Sequence, residues 1–230
     1  GPVTVQVAVG GPDASGRRPV TVHSRPGPAG ADAAWTLHAE GLLTEGAPDG
    51  ADGPSAALAA WPPSGARPLP TSALYDDLAA QGYDYGPAFR GVRALWRRGD
   101  DVFADVELPA KAGASDGFLL HPALLDAALH AVAASGLLPP APGIRLPFAW
   151  SGVSLHATGA RALRVLVRRT GPQSVQLTAV DGTGAPVVSV ASLVLLPVAV
   201  EALRAASRSE ALLAVRWEEA GPAGAAVGVP

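Results

Sequence analysis

The sequence predicts an α+β fold in which antiparallel sheets curve around central helices. Alternating valines at the start of the chain indicate β-strands, and residues 121–135 form one long apolar helical segment. Several strand-like runs separated by turn residues follow that segment. Because an apolar helix stripe needs another layer to cover it, we expect the helix and the following strands to pack together.

The first 45 residues are predicted to form strands. Over 3–9, valines alternate with other residues, which is the pattern of a half-buried strand. Residues 10–16 are rich in turn formers and the alternation resumes at 20–22, so we expect a hairpin. A third alternating run covers 35–40.

Residues 46–70 differ in composition from both neighbouring regions. Proline, glycine, alanine and aspartate dominate this stretch, which is typical of a linker. A connection of this length is unusual inside one compact unit. We therefore expect it to join two subdomains, 1–45 and 71–200.

The second subdomain is predicted to begin with a short helix over 73–81. Thr71 or Ser72 is placed to cap its start, and Gly82 is placed to end it in the left-handed conformation. A loop with obligatory helix breakers follows over 82–91. Two strands are then predicted, at 92–98 and 101–109, around a Gly-Asp turn.

The helix predicted over 121–135 has the clearest pattern in the chain. Pro122 suits its first turn, and an apolar stripe runs at helical spacing through Leu125, Ala128, Leu129 and Val132. Three or four strands follow, within 146–157, 162–170, 174–180 and 186–198. One helix wrapped by a curved antiparallel sheet is the hotdog fold. The first 45 residues then fit the later strands of another hotdog, so we predict a double hotdog whose first hotdog is incomplete.

The composition excludes several classes of function. The chain of 230 residues contains no cysteine, which excludes disulfides, thiolate metal sites and cysteine nucleophiles. Its formal net charge is −3, so it lacks the basic field that attracts nucleic acid. The start of the chain lacks the features of a secretory signal, and the apolar run 187–198 is too short to span a bilayer. We expect a cytoplasmic protein without nucleic-acid or membrane partners. Because methionine is also absent, we expect a piece of a longer polypeptide.

Three motifs resemble the signatures of one enzyme family, the dehydratase domains of modular polyketide synthases. The loop GYDYGPAFRG (82–91) is similar to the family's YGPxFxG pattern, and HPALLDAALH (121–130) is similar to its HPxLLDA helix. The segment LPFAWSGV (146–153) looks like its LPFxW strand. The likeness extends over nearly the whole chain to about residue 200. Residues 201–230 resemble a linker and the start of a ketoreductase structural region.

The resemblance implies an activity and a set of site residues. Such domains remove water from a 3-hydroxyacyl thioester on acyl carrier protein, giving a 2-enoyl thioester, with no metal or organic cofactor. Asp126 is implied as the catalytic acid, with His130 one helical turn away to hydrogen-bond it. The family likeness places the substrate-binding residues in the 82–91 loop, at Tyr85, Gly86, Pro87 and Phe89. It also implies a homodimer that works with other domains of a multifunctional synthase.

One family signature is missing from the sequence. The catalytic base of these domains is a histidine in the pattern His-x-x-x-Gly-x-x-x-x-Pro, and none of the five histidines matches it. His23 has Gly27 at the right spacing but Asp32 in place of the proline. We therefore expect the base upstream of residue 1. Two alternatives stay open: an inactive dehydratase-like dimerisation scaffold, and a double-bond isomerase or pyran-forming cyclase on the same fold.

Overall fold

A computed structural model describes residues 3–27, 34–46, 56–58, 60–115 and 117–199. These described residues divide into two compact units, 3–46 and 56–199. The ketoreductase-like segment expected over 201–230 lies outside the described residues.

The first unit is a three-stranded antiparallel sheet. It consists of β1 (Val3–Val9), β2 (Arg18–Pro26) and β3 (Thr36–Leu43), in the order β1-β2-β3. The β1–β2 hairpin pairs Val7 with Val22, so the predicted strands and hairpin are confirmed. In the intervening turn the Asp13 carboxylate accepts hydrogen bonds from the Ser15 hydroxyl at 2.7 Å and from the Ser15 amide at 2.8 Å.

The prediction that β1 is half-buried is wrong for this unit. The four valines of β1 are 44–62% exposed, in the order Val3 44%, Val5 62%, Val7 55% and Val9 53%. A strand buries one face only when a second layer covers it. The described residues of this unit contain no helix, so the apolar face of β1 has no covering layer among them.

The second unit combines one sheet of seven strands with two α-helices. Its elements are β4 (Arg67–Leu69), α1 (Leu74–Gln81), β5 (Val92–Arg98), β6 (Asp101–Glu107), α2 (Pro122–Ala134), β7 (Ile144–Leu155), β8 (Ala162–Arg169), β9 (Ser174–Val180) and β10 (Pro186–Val198). Neighbouring strands are antiparallel, in the order β4-β5-β6-β8-β9-β10-β7. Two short 3₁₀ turns, Ala56–Leu58 and Ala110–Ala112, complete the unit.

Helix α2 packs on the sheet and forms the centre of the core. It contacts β5, β6 and β8, and Leu124 is completely buried between helix and sheet. Its start is fixed by His121, whose Nδ1 accepts a hydrogen bond from the Ala123 amide at 3.1 Å. Pro122 occupies the first turn, where its missing amide proton costs nothing. The predicted arrangement of one apolar helix covered by an antiparallel sheet is confirmed, but Leu125 and Leu129 of the predicted stripe are only half-buried.

Helix α1 begins differently from the prediction and ends as predicted. Ala73 occupies the N-cap position and makes no side-chain capping bond, so a cap by Thr71 or Ser72 is wrong. The backbone closes this turn instead, because the Leu74 amide donates to the Thr71 carbonyl at 3.2 Å. At the other end Gly82 adopts φ 106°, the left-handed conformation that glycine accommodates without strain.

The stretch predicted as a linker, residues 46–70, contributes structure to the second unit. Leu58 is 1% exposed and packs in a small cluster on the sheet with Phe103. Trp61 packs against the same cluster, and its indole nitrogen donates to the Asp105 carboxylate at 3.0 Å. Strand β4 then pairs with β5. From residue 56 onward the stretch is therefore not a free linker, because its few large apolar side chains find a sheet face to cover.

Strand β5 begins very close to α2, and Gly91 allows this approach. A Cβ atom on Gly91 would lie 2.8 Å from the Ala127 Cβ and 2.8 Å from the Glu107 carbonyl oxygen. Both neighbours belong to well-packed elements and cannot move independently. The position of α2, and hence of the side chains on its cavity face, depends on this glycine.

We expect Gly91→Ala to destabilise the protein by about 1–3 kcal/mol, because the added methyl group must push α2 away from β5. Chemical denaturation measures the effect. Gly86→Ala is the matched control, since its added Cβ would meet no atom within 4 Å. Equal stability of the two variants would contradict the close packing described here.

Candidate active site

Helix α2 presents the two predicted catalytic residues on one face, one turn apart. The Asp126 carboxylate oxygen Oδ2 lies 3.0 Å from Nε2 of His130, within hydrogen-bonding distance. The His130 side chain is fully buried, whereas the Asp126 side chain is 35% exposed. The buried imidazole therefore holds a carboxylate that is still open to the space in front of the helix.

Two tyrosine rings contact the His130 imidazole, and a third ring stacks on one of them. The Tyr85 ring lies over the imidazole with a centroid distance of 3.8 Å. Tyr83 stacks parallel to Tyr85 at 6.1 Å, and Tyr75 meets the imidazole edge-on at 5.8 Å. These are all three tyrosines of the chain. The sequence thus places its whole complement of phenol groups at one site.

The tyrosine hydroxyls have different partners. The Tyr75 hydroxyl accepts from the Val92 amide at 2.9 Å and lies 3.4 Å from Nδ1 of His130. The Tyr83 hydroxyl accepts from the Arg145 amide and donates to the Arg145 carbonyl, at 2.6 and 3.1 Å. Among the described residues the Tyr85 hydroxyl has no hydrogen-bond partner, and Tyr85 lines the cavity described next.

Burial holds all three phenols in the neutral form. It raises the pKa of Tyr75 and of Tyr83, and burial together with the nearby Asp126 charge raises the pKa of Tyr85 most. An unfolded tyrosine ionises near pH 10. The folded state therefore retains these protons where the unfolded state loses them.

From these pKa shifts we expect the three phenols to contribute to the free energy of unfolding. This contribution is fully present below about pH 10 and is lost as the pH rises toward the pKa values of the phenols in the folded protein. Phenolate absorbance should appear above about pH 10 in the folded protein and near pH 10 in denaturant. Tyr85→Phe should remove the component that titrates last. A Tyr85 phenol that titrates in the folded protein as it does in denaturant would contradict the burial of the cluster.

A cavity opens in front of Asp126. Its volume is about 550 Å³, within the range of small-molecule sites in proteins. Asp126, Tyr83 and Tyr85 supply polar atoms to its wall. The apolar part of the wall includes Leu129, Val132, Leu138, Pro139, Pro140 and Leu195. The cavity therefore offers an apolar surface beside one acidic group, a combination suited to an apolar chain with a polar reacting centre.

Arg145, at the start of β7, ties three parts of the cavity wall together. Its guanidinium donates to the carbonyls of Pro139 and Leu195, at 2.8 and 3.2 Å. Its backbone binds the Tyr83 hydroxyl. One residue thus connects the loop before β7 with strand β10 and with the tyrosine cluster.

Three loop residues that the family likeness places at the site lie outside the cavity wall. Gly86, Pro87 and Phe89 are not among the residues that line the cavity, and Phe89 is 42% exposed. They form a turn closed by a 2.9 Å hydrogen bond from the Phe89 amide to the Gly86 carbonyl. This turn holds Tyr85 in place, helped by Arg90, whose Nε donates to the Tyr85 carbonyl at 2.8 Å. Substrate contact by these three residues stays a prediction.

Sequence reasoning missed Tyr75, Tyr83 and Arg145 as members of the site. One signal could have revealed the two tyrosines, because all three tyrosines of the chain lie within the eleven positions 75–85. No comparable signal exists for Arg145, whose role depends on the path of the loop before β7.

Within the described ranges, no three histidine or carboxylate side chains cluster as metal ligands would. None of the described helices has both the length and the apolar character needed to cross a membrane.

Comparison with known protein families gives a direct match. Residues 53–205 match the family described as polyketide synthase dehydratase N-terminal domain. Mycoketide-CoA synthase of Mycobacterium tuberculosis is 51% identical over 223 residues, which cover 94% of this chain and 5% of that protein. The spectinabilin polyketide synthase system protein NorA of Streptomyces orinoci is 48% identical over 96% of this chain and 12% of its own length. The chain therefore spans a small part of these multidomain relatives.

Solved structures agree with the sequence relatives. The dehydratase domain from the terminal module of the rifamycin polyketide synthase has a TM-score of 0.74 at 46% identity, covering 85% of this chain and 68% of that domain. A bifunctional dehydratase-cyclase domain in ambruticin biosynthesis has a TM-score of 0.77 at 41% identity, covering 90% and 73%. The chain shares the double-hotdog fold of its structural neighbours. It belongs to the dehydratase domain family of modular polyketide synthases.

Proposed function

We propose that this chain supplies the acid half of a dehydratase site, which eliminates water from a 3-hydroxyacyl thioester to give the 2-enoyl thioester. One observation carries the proposal. The Asp126 carboxyl group lies in the wall of an apolar cavity, with Nε2 of His130 at 3.0 Å from its Oδ2. A carboxyl group held in this way can transfer a proton to a substrate hydroxyl.

The proposed reaction balances with one acid and one base. The base removes the proton from C2 as the electron pair forms the C2–C3 double bond. The C3–O bond breaks, and the hydroxyl group leaves as water with the proton from Asp126. The cycle closes when the proton on the base returns to the aspartate.

Apolar side chains flank Asp126 in the cavity wall. Leu129 lies one turn along the same helix and lines the cavity, and Leu124 is completely buried beneath. A substrate acyl chain in the cavity would exclude water from the reacting groups. The Tyr85 hydroxyl, which has no partner within the described part of the chain, is available to hydrogen-bond the reacting part of the substrate.

The base in this proposal is a histidine that is not among the residues of this sequence. The family likeness assigns the base to a histidine in the pattern His-x-x-x-Gly-x-x-x-x-Pro, which no histidine here matches. His130 is paired with Asp126 and fully buried, so it does not serve as the base. The proposed mechanism uses no metal and no organic cofactor.

We further propose the biological setting that the relatives suggest. The substrate is carried by acyl carrier protein as a phosphopantetheine thioester, and the domain works within a cytoplasmic multidomain synthase as a homodimer. Mycoketide-CoA synthase and NorA are themselves much longer proteins, of which this chain matches 5% and 12%.

A product assay tests the proposed function. In the synthase polypeptide that contains this chain, a 3-hydroxyacyl group loaded on the carrier protein should lose the mass of one water and gain an enoyl absorbance. An intact protein that leaves the 3-hydroxyacyl group unchanged would support the alternative of an inactive dimerisation scaffold.

A second candidate activity is ring closure. The ambruticin relative is a bifunctional dehydratase-cyclase and shares 41% identity with this chain. In such a reaction a substrate hydroxyl would add to the enoyl product at the same site. A substrate with an additional, suitably placed hydroxyl group distinguishes the two activities, because a cyclase returns the mass of the enoyl product without its absorbance.

A further inference from the structure

The Tyr75 hydroxyl occupies a position between the backbone and the buried imidazole. It accepts a hydrogen bond from the Val92 amide at 2.9 Å, and it lies 3.4 Å from Nδ1 of His130. The other imidazole nitrogen, Nε2, lies 3.0 Å from the Asp126 carboxylate. A continuous chain of polar atoms thus leads from the first residue of β5 to the proposed acid.

The protons available in this hydrogen-bonded series fix the direction of each hydrogen bond. A backbone amide can only donate, so the Tyr75 oxygen is the acceptor toward Val92. The one hydroxyl proton is then free to point at Nδ1 of His130. A neutral imidazole that accepts at Nδ1 carries its proton on Nε2 and donates it to Asp126.

We propose that Tyr75 is a positioning residue that fixes the His130 tautomer, so that Nε2–H always donates to Oδ2 of Asp126. This inference rests on the proposed function of Asp126 as the acid. Its consequence is specific to one atom. Because Oδ2 accepts from the imidazole, the transferable proton of the carboxyl group is carried by the other oxygen, Oδ1.

Without this constraint the imidazole has an unproductive alternative. A His130 ring protonated at Nδ1 would accept at Nε2, and it would then take the acid proton of Asp126 into a buried hydrogen bond. The proton would point into the protein rather than toward the substrate. Tyr75 excludes this arrangement by supplying the proton that Nδ1 accepts.

The groups that face the imidazole and the phenol are consistent with a protonated phenol. Asp126 lies on the same helix, Tyr75 on α1, and Tyr85 stacks over the ring. The cations nearest the phenol, Arg90 and Arg93, lower its pKa, but burial outweighs them and raises it. The Tyr75 hydroxyl therefore keeps its proton across the neutral range and remains a donor.

Nitrogen NMR of the imidazole tests the proposal. In the dehydratase domain, prepared at the length of the solved relatives with ¹⁵N-labelled histidine, His130 should show the tautomer with Nε2 protonated and Nδ1 bare. Tyr75→Phe should shift this signal toward a mixture of tautomers. Tyr83→Phe is the matched control, because its hydroxyl binds the Arg145 backbone and should leave the His130 signal unchanged.

Kinetics provide a second readout. Tyr75→Phe should lower kcat by about 10- to 100-fold with little change in KM, as is typical when a histidine loses its orienting partner. In a His130→Leu background, which has no tautomer to fix, the same substitution should have almost no further effect on kcat. A merely structural tyrosine would lower stability equally in both backgrounds.

Several results would overturn the inference. They are a wild-type His130 protonated at Nδ1, an unchanged tautomer in Tyr75→Phe, or kinetic effects of the two substitutions that simply add. The wild-type spectrum decides the matter even if Tyr75→Phe does not fold. Failure of the proposed function would look different, because Asp126→Asn would then retain dehydration while the His130 tautomer stayed as described.

Discussion

Asp126→Asn is expected to lower dehydration turnover by about 10²–10⁴-fold, the contribution of a positioned general acid. The amide keeps the size of the carboxyl group and can still accept a hydrogen bond from Nε2 of His130. It has no acidic proton to give to a leaving hydroxyl. Because the Asp126 side chain is 35% exposed, the substitution should not create a buried unpaired group.

The control for this prediction is Asp84→Asn. Asp84 is exposed and lies between Tyr83 and Tyr85 in sequence, so it is a carboxylate near the site but outside the cavity wall. Its substitution should leave turnover and thermal stability unchanged. Wild-type turnover by Asp126→Asn, or equal losses in both variants, would remove Asp126 from the mechanism.

Leu124→Ala is expected to have the largest effect on stability among the substitutions on α2. Leu124 is completely buried where the helix meets the sheet, and truncating such a leucine costs about 2–5 kcal/mol. The loss combines the transfer free energy of the removed methyl groups with the cavity left behind. Urea unfolding of the dehydratase domain, with the slope of the transition checked for change, measures it.

Leu129→Ala provides the comparison on the same helix. Leu129 is half-buried and lines the cavity, so its truncation should cost less than about 2 kcal/mol of stability. It should instead change the preference for acyl chain length, because it removes apolar wall next to Asp126. A larger stability loss for Leu129→Ala than for Leu124→Ala would contradict the assignment of the two helix faces.

Periodicity predicted strands β5 to β10 and the long helix of the second unit to within a few residues, but not the short strand β4. Valine alternation likewise located β1 and β2. The burial of β1 could not be predicted in this way, because burial depends on a second layer rather than on the alternation itself. The linker predicted over 46–70 was wrong from residue 56 onward for a related reason. Leu58 and Trp61 are isolated in a sequence typical of linkers, yet each packs on the sheet.

The pairing of Asp126 with His130 followed from their four-residue spacing on one helix. The contact of the tyrosines with His130 did not follow from their spacing in the sequence. Tyr75 and Tyr85 lie 55 and 45 positions before His130, so their contact with the imidazole exists only because α1 and the loop after it fold over α2. Local patterns thus located the acid and its partner, and tertiary packing determined what surrounds them.

The site also shows how a small number of residues can hold a reactive group in place. His130 is bound at both ring nitrogens, Tyr85 covers its face, and Arg145 ties the cavity wall to Tyr83. Each of these contacts lies in the second unit. The arrangement suits a site whose acid must keep one geometry through repeated cycles of proton loss and return.

The central claim is that Asp126 protonates the departing hydroxyl group, and changing the leaving group tests it most directly. A 3-fluoroacyl thioester loses fluoride, which needs far less help from an acid than hydroxide does. Asp126→Asn should therefore eliminate fluoride within about tenfold of the wild-type rate while its elimination of water falls by about 10²–10⁴-fold. Equal losses with both substrates would contradict the account, because Asp126 would then act at a step other than departure of the hydroxyl group.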